Sequence, residues 1–481
     1  MMNKRPNLKN LVFLLLAAAL LVTCRKTSRD AVIPVDPGLP LTVAQGPEIE
    51  SYPFEDQGCQ ELERPAEDPA LSPITEVSLN SWKDGSVVRK PLNTADLRIT
   101  GFPLKSPLVT KVTSDDVFQR ACNANMALPP DCLSREMGQP GWSAAQTGKA
   151  IKICKQIVMP ERMTLEHMAL SVVVTIEKTG RAFKDLIPAG LSLEEITVMA
   201  APRFESRWTP WTNGDQRGSY LTLLAENLAY FPPTSETPPF IAVLPKNTAE
   251  KNTTRLWESE FVIAHEYSHH LERVLKLDRF DEKRSHVRIA ASEAFADIMA
   301  YASQGAMITS IKGIPCVGID RAPDQLEFNN GIAKIIDDEL LDRLLRKSAR
   351  DDSTSSATVD EAQPICHGVI PHSPHGIGAI FAHWLAEFAA LTPGFDDARA
   401  KTTAALSIDW LRNIESSIGA GNSSTKKDLE YAARSLEKSV IGRYEISGIE
   451  LTDNLRIMLC QKMRLAFPAI KDLEWFGRTG C

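Results

Sequence analysis

The sequence predicts an α+β protein. Three observations lead there. Two short strand-like pieces, ITVMAAP and PPFIAVLP, sit mid-chain between prolines and polar turns. Helical patterns with apolar faces surround them, over residues 163–185, 256–275 and 287–304. The last third is mostly helical in pattern, so helices segregate to one end rather than alternating with strands.

Taken in order, the chain opens with Lys4, Arg5 and Lys9, then the unbroken apolar run 11–22. That run is short for a membrane span of about 20 residues and suits the core of a signal peptide. Residues 25–75 are rich in Pro, Asp, Glu and Gly, as in VIPVDPGLPL. Such composition buries little and predicts a disordered tether. Residues 76–162 mix short strand-like pieces with cysteines and form an N-terminal region of unknown role. Helix 163–185 follows, then the two strands, then helices 256–275 and 287–304, with Gly305 as the C-cap of the last. Residues 306–481 form a helical subdomain. It contains GIAKIIDDELLDRLLRK, HGIGAIFAHWLAEFAAL and KKDLEYAARSLEKSV, the last opened by a Thr425…Asp428 capping-box pattern.

Charge and cysteine usage narrow the function classes. The 481-residue chain has a net charge of −7 and no basic stripe, which excludes nucleic acid as an expected partner. Nine cysteines stand at Cys24, Cys59, Cys122, Cys132, Cys154, Cys316, Cys366, Cys460 and Cys481. No CxxC occurs, which argues against a cysteine zinc site. Setting Cys24 aside leaves an even set, and an exported chain meets an oxidising compartment, so disulfides are expected. Cys122–Cys132 and Cys316–Cys366 are candidate pairs by proximity.

The chemistry lies in FVIAHEYSHHLE, which holds His265-Glu266-Tyr267-Ser268-His269, an HExxH motif. Residues four apart share a helix face, so His265 and His269 can present imidazole nitrogens to one ion. Glu266, one residue along, can take a proton from water activated by that ion. His270 points off that face and is read as a packing residue. A catalytic zinc needs a third protein ligand. SEAFADIMAY offers Glu293, with Asp297 four residues on to hydrogen-bond a ligating histidine. Glu282 and His286 are the rival third ligands, in a charged turn.

These motifs resemble the gluzincin metallopeptidases, whose thermolysin-like members pair HExxH with a downstream ExxxD helix. The resemblance covers roughly residues 163–442. It implies a zincin fold with a small mixed sheet, an active-site helix and a helical C-terminal subdomain, the N-terminal subdomain spanning 163–305. It implies zinc held by His265, His269 and Glu293, Glu266 as general base and Asp297 behind a ligand. GVIPHSPHGIGAIFAHWL is similar to the family segment whose histidine donates to the oxyanion. That places His372 in the role, with His375 as competitor. PPFIAVLP would be the edge strand that binds extended substrate. At the other end, LVTC at 21–24 resembles a bacterial lipoprotein box. It implies removal of most of 1–24, lipidation of Cys24, and an exported protein anchored to a membrane, the outer membrane by the residue after the cysteine. The expectation is a zinc metalloendopeptidase acting on peptides or proteins. The alternative is a non-catalytic, membrane-anchored binding lipoprotein that keeps a structural zinc.

Overall fold

The run VVVT at 172–175 is β-branched and has low intrinsic helix propensity. It nevertheless lies inside helix α1, Leu165–Phe183. Burial decides: α1 is wrapped on almost every side, and Thr164 caps it by accepting a hydrogen bond from the His167 N–H at 3.1 Å. This is a computed structural model, and it describes residues 74–83, 86–123, 142–146, 148–153, 157–158, 164–188, 191–209, 218–221, 227–233, 237–244, 256–277, 286–304, 374–395, 398–417, 425–468, 470, 473–479 and 481. All of them fall within one unit, Ile49–Cys481. The expected leader, Cys24 and nearly all of the tether lie outside the described residues.

The strands in chain order are β1 (Glu76–Lys83), β2 (Ser86–Asn93), β3 (Thr100–Gly101), β4 (Leu104–Lys105), β5 (Val109–Ser114), β6 (Val117–Asn123) and β7 (Trp142–Gln146). They continue as β8 (Lys149–Ala150), β9 (Ile157–Val158), β10 (Ile196–Ala200), β11 (Arg203–Thr209), β12 (Gly218–Leu221), β13 (Asn227–Phe231) and β14 (Phe240–Leu244). The sheet that matters for the site has the order β13-β14-β10-β5-β8. Strands β14, β10 and β5 run parallel, with β13 and β8 antiparallel at the two edges. Every residue of β10 is buried, as expected of a central parallel strand covered on both faces. Two smaller sheets, β2-β1-β9 and β12-β11-β6-β7, and the β3-β4 pair hold the other strands among the described residues.

One expectation changes here. PPFIAVLP forms β14, but β14 is paired on both sides and the edge belongs to β13. Residues on both sides of 162/163 contribute to one core. Strand β5 is the direct neighbour of β10, and Val77, Val109 and Val112 share one apolar cluster with α1.

The helices are α2 (Glu260–Val274), α3 (His286–Gln304), α4 (Pro374–Ala389), α5 (Arg399–Ser417), α6 (Thr425–Ser447) and α7 (Asp453–Ala466). A short 3-10 turn, Leu256–Glu258, precedes α2, and Ser259 caps it by accepting from the Val262 N–H. Helix α3 is the hub. It packs on α1, α2, α4, α5 and α6, most extensively on α4. Ala290, Ala291, Ala294, Ala296 and Ala300 are all fully buried, and their small side chains let neighbouring helices come close. The Thr425…Asp428 capping box is not made. Thr425 is already helical, and both Asp428 carboxylate oxygens are buried without a hydrogen bond. No helix among the described residues is long and apolar enough to cross a membrane.

The mixed α and β content matches the expected α+β class. One disulfide joins Cys460 of α7 to Cys481, 21 residues apart, and neither is in the pairs suggested by proximity. Those pairs fall outside the described side chains. The bridge pins the C-terminal segment that buries Trp475 and Phe476. Closing a loop of that length removes about 3 kcal/mol of unfolded-state entropy. Cys481→Ser should therefore lower unfolding stability by about 3 kcal/mol. Denaturant titration of variant and parent, with and without reductant, checks this.

Glu177 on α1 is a buried carboxylate that accepts from the Leu108 N–H at 2.7 Å. Burial raises its pKa above the ordinary 4.5, against the pull of its hydrogen bonds and of Arg181. The folded state then holds a proton that the unfolded chain has released, so stability falls as pH rises from about 4.5 through the raised value. Glu177→Gln keeps an acceptor for Leu108 and removes the charge. It should flatten that slope and raise stability at neutral pH, read from denaturation at several pH values.

Candidate metal centre

Helix α2 lies against edge strand β13 on one side and α3 on the other. Its apolar face, with Phe261, Ile263, Ala264, Tyr267 and Leu271 buried, fixes its rotation. That rotation turns His265 and His269, one helical turn apart, toward α3. Their rings meet edge to face, with centroids 4.9 Å apart. From α3, Glu293 reaches between them, its Oε2 3.2 Å from His265 Nε2 and its Oε1 3.9 Å from His269 Nε2. One donor atom from each of the three residues falls within 4.8 Å of the others, so this buried group can hold a metal ion.

The rings are oriented from behind. Asp297, fully buried one turn along α3, lies 2.8 Å from His265 Nδ1. This contact on Nδ1 orients the ring so that Nε2 faces Glu293. Burial opposes charge on His265. The hydrogen bonds and charges of Asp297 and Glu293 override it and push its pKa up to about 10. The field at this point therefore favours a cation. His269 has its own carboxylate: Glu272, three residues on, lies 3.6 Å from Nδ1 and accepts a hydrogen bond from the Ser292 hydroxyl. The same hydroxyl is 3.4 Å from His269 Nδ1. Burial pulls the His269 pKa down, but Glu272 and Glu293 raise it on balance. His270 behaves oppositely. Burial lowers its pKa, and its Nε2 meets the Glu194 carbonyl at 3.0 Å, away from the centre.

Glu266 is half-buried beside the two histidines. The backbone N–H of Tyr230, on β13, donates to its Oε2 at 2.9 Å. That bond holds one carboxylate oxygen in place. It also joins the sheet edge to the centre. Helix α4 closes the far side. At Gly378 its backbone comes so close to α3 that a β-carbon would stand 2.6 Å from Glu293 Cβ. Pro374, the first residue of α4, is four residues, or about 6 Å of helix, ahead of that contact.

The structure thus brings together His265, Glu266, His269, Glu293 and Asp297. His372 and Glu282 lie outside the described residues, and the His375 side chain is likewise outside them. His286 opens α3, and its side chain too lies outside the described residues. Glu272, Ser292 and Tyr230 belong to the site and are new. Two of them had a signal: Glu272 is i+3 from His269, and Ser292 directly precedes Glu293. Tyr230 had none, because it contributes only backbone.

The donor set suits zinc. Zinc takes imidazole nitrogen and carboxylate oxygen ligands, and ligand distances of about 2.0–2.1 Å require tetrahedral donors about 3.3 Å apart. The observed separations straddle that spacing. In comparisons with known proteins, no protein-family model matches the chain, and no curated protein matches it.

Proposed function

We propose that the chain is a zinc-dependent peptidase of gluzincin type with a zincin fold, and that His265, His269 and Glu293 hold the zinc. The observation that carries this reading is the placement of Glu266, a carboxylate anchored to the sheet edge beside a two-histidine, one-carboxylate centre. A purely structural site has no use for such a group. Bound zinc would supply a Lewis acid that polarises a carbonyl and makes water a nucleophile near neutral pH. Glu266 would accept the proton of the attacking water on the oxygen not held by Tyr230, and deliver it to the departing amine. An extended peptide pairing along β13 would run its backbone past Glu266, because Tyr230 of that strand already reaches the carboxylate. His372, two residues before α4 in the sequence, is the oxyanion donor in this reading.

The lipoprotein-like LVTC at 21–24 completes the proposal. The protein would be exported and held at a bacterial membrane through lipidated Cys24, with peptides or proteins as substrates. The test is incubation of the purified protein with a mixture of peptides and a denatured protein, with and without a chelator. The expected result is chelator-sensitive cleavage of internal peptide bonds, restored by zinc. Full zinc occupancy without cleavage of any substrate would contradict it and favour the binding-protein alternative.

A further inference from the structure

We propose that Gly378 is the positioning residue for Glu293, so that docking of α4 sets the third metal ligand. The inference rests on the reading of Glu293 as a ligand. It starts from one close approach. A β-carbon on Gly378 would stand 2.6 Å from Glu293 Cβ, 3.0 Å from the Ala290 carbonyl oxygen and 3.1 Å from the Ala294 backbone nitrogen. Contacts under 3 Å are not tolerated in a packed interior, so something must shift. The atoms met are two backbone atoms of α3 and the root of the Glu293 side chain. None is the end of a flexible chain that can swing away. Room could come only from separating α4 and α3, or from moving Glu293.

The surroundings leave little slack. Ala290, Ala294, Ile380, Phe381 and Ala382 are buried at 0–1% exposure, so the two helices pack without a solvent gap around the crossing. Asp297 lies on α3, one turn beyond Glu293, and its 2.8 Å contact with His265 ties that helix to α2. Glu293 is thus fixed from two directions, by Asp297 along its own helix and by the bare backbone of α4 across from it. Helix formation itself does not require glycine here. Alanine is the better helix former by about 1 kcal/mol, so the interior glycine is explained by the crossing.

The test uses the full chain and zinc affinity measured by competition with a chromogenic chelator. Gly378→Ala should bind zinc about tenfold more weakly or worse, the scale of losing a positioning contact behind a ligand. Gly442→Ala in α6, where a β-carbon would meet nothing within 4 Å, should bind like the parent. A general packing defect is separated by a double-mutant cycle. In a Glu293→Gln background, Gly378→Ala should cost no further affinity, because the ligand it positions has gone. Equal losses in both backgrounds, or parental affinity in Gly378→Ala, would overturn the proposal. If Gly378→Ala does not fold, amide exchange in the parent reads the same coupling. Zinc should slow amides 378–384 of α4 about tenfold more than those of α7, and equal slowing would overturn the proposal. A parent that binds no zinc would instead refute the metal-centre reading itself.

Discussion

Glu266→Gln should reduce peptide hydrolysis by about 10²–10⁴-fold while leaving zinc bound, because it removes the proton acceptor and little else. The glutamine keeps the shape of the side chain. Its amide oxygen can still accept from the Tyr230 N–H, so the link between α2 and β13 survives. The three proposed ligands are untouched. What disappears is the basicity needed to take a proton from water and return it to the amine. The check is kcat/KM on a fluorogenic peptide beside zinc content per chain. Loss of turnover with full zinc supports the assignment. Parental activity would remove Glu266 from the chemistry, and loss of both activity and zinc would make it a structural residue.

The second large effect concerns metal retention. Glu293→Gln should weaken zinc binding by more than Asp297→Asn does, and the latter by about 10–100-fold. The order follows from position. Glu293 faces both imidazole Nε2 atoms, whereas Asp297 acts through His265 Nδ1. Asparagine at 297 can still accept from Nδ1 through its oxygen, but it no longer supplies the charge that makes the ring a stronger donor to metal. Chelator competition on both variants measures the two losses. The reverse order, or no loss in either, would break the assignment of roles.

The parts of this site written in local spacing were legible in the sequence. HExxH and the Glu293…Asp297 pair are i,i+4 patterns on segments that read as helices, and both patterns and helices appear where expected. Features set by long-range packing were not. NLAYF is apolar and could sit anywhere in a sheet; only its pairing with β14 alone makes it the edge that reaches Glu266. The family resemblance places PPFIAVLP at the substrate-binding edge, yet it forms a strand paired on both sides, which no local pattern reveals. Glu272 carries only its i+3 spacing from His269 in the sequence, a weak signal, and its burial at 3% exposure beside Ser292 is what marks it as part of the centre. Gly378 could equally have been a helix cap or a breaker; its meaning comes from the helix on the other side.

The central claim is that two histidines and one glutamate hold one zinc per chain. X-ray absorption at the zinc edge of the purified protein tests it most directly. The expected spectrum shows one zinc per chain in a shell of nitrogen and oxygen only, at about 2.0–2.1 Å, with the outer-shell scattering of two imidazoles, and loss of one imidazole in His265→Ala. A shell containing sulfur at about 2.3 Å, or a zinc-loaded His265→Ala with an unchanged spectrum, would contradict it.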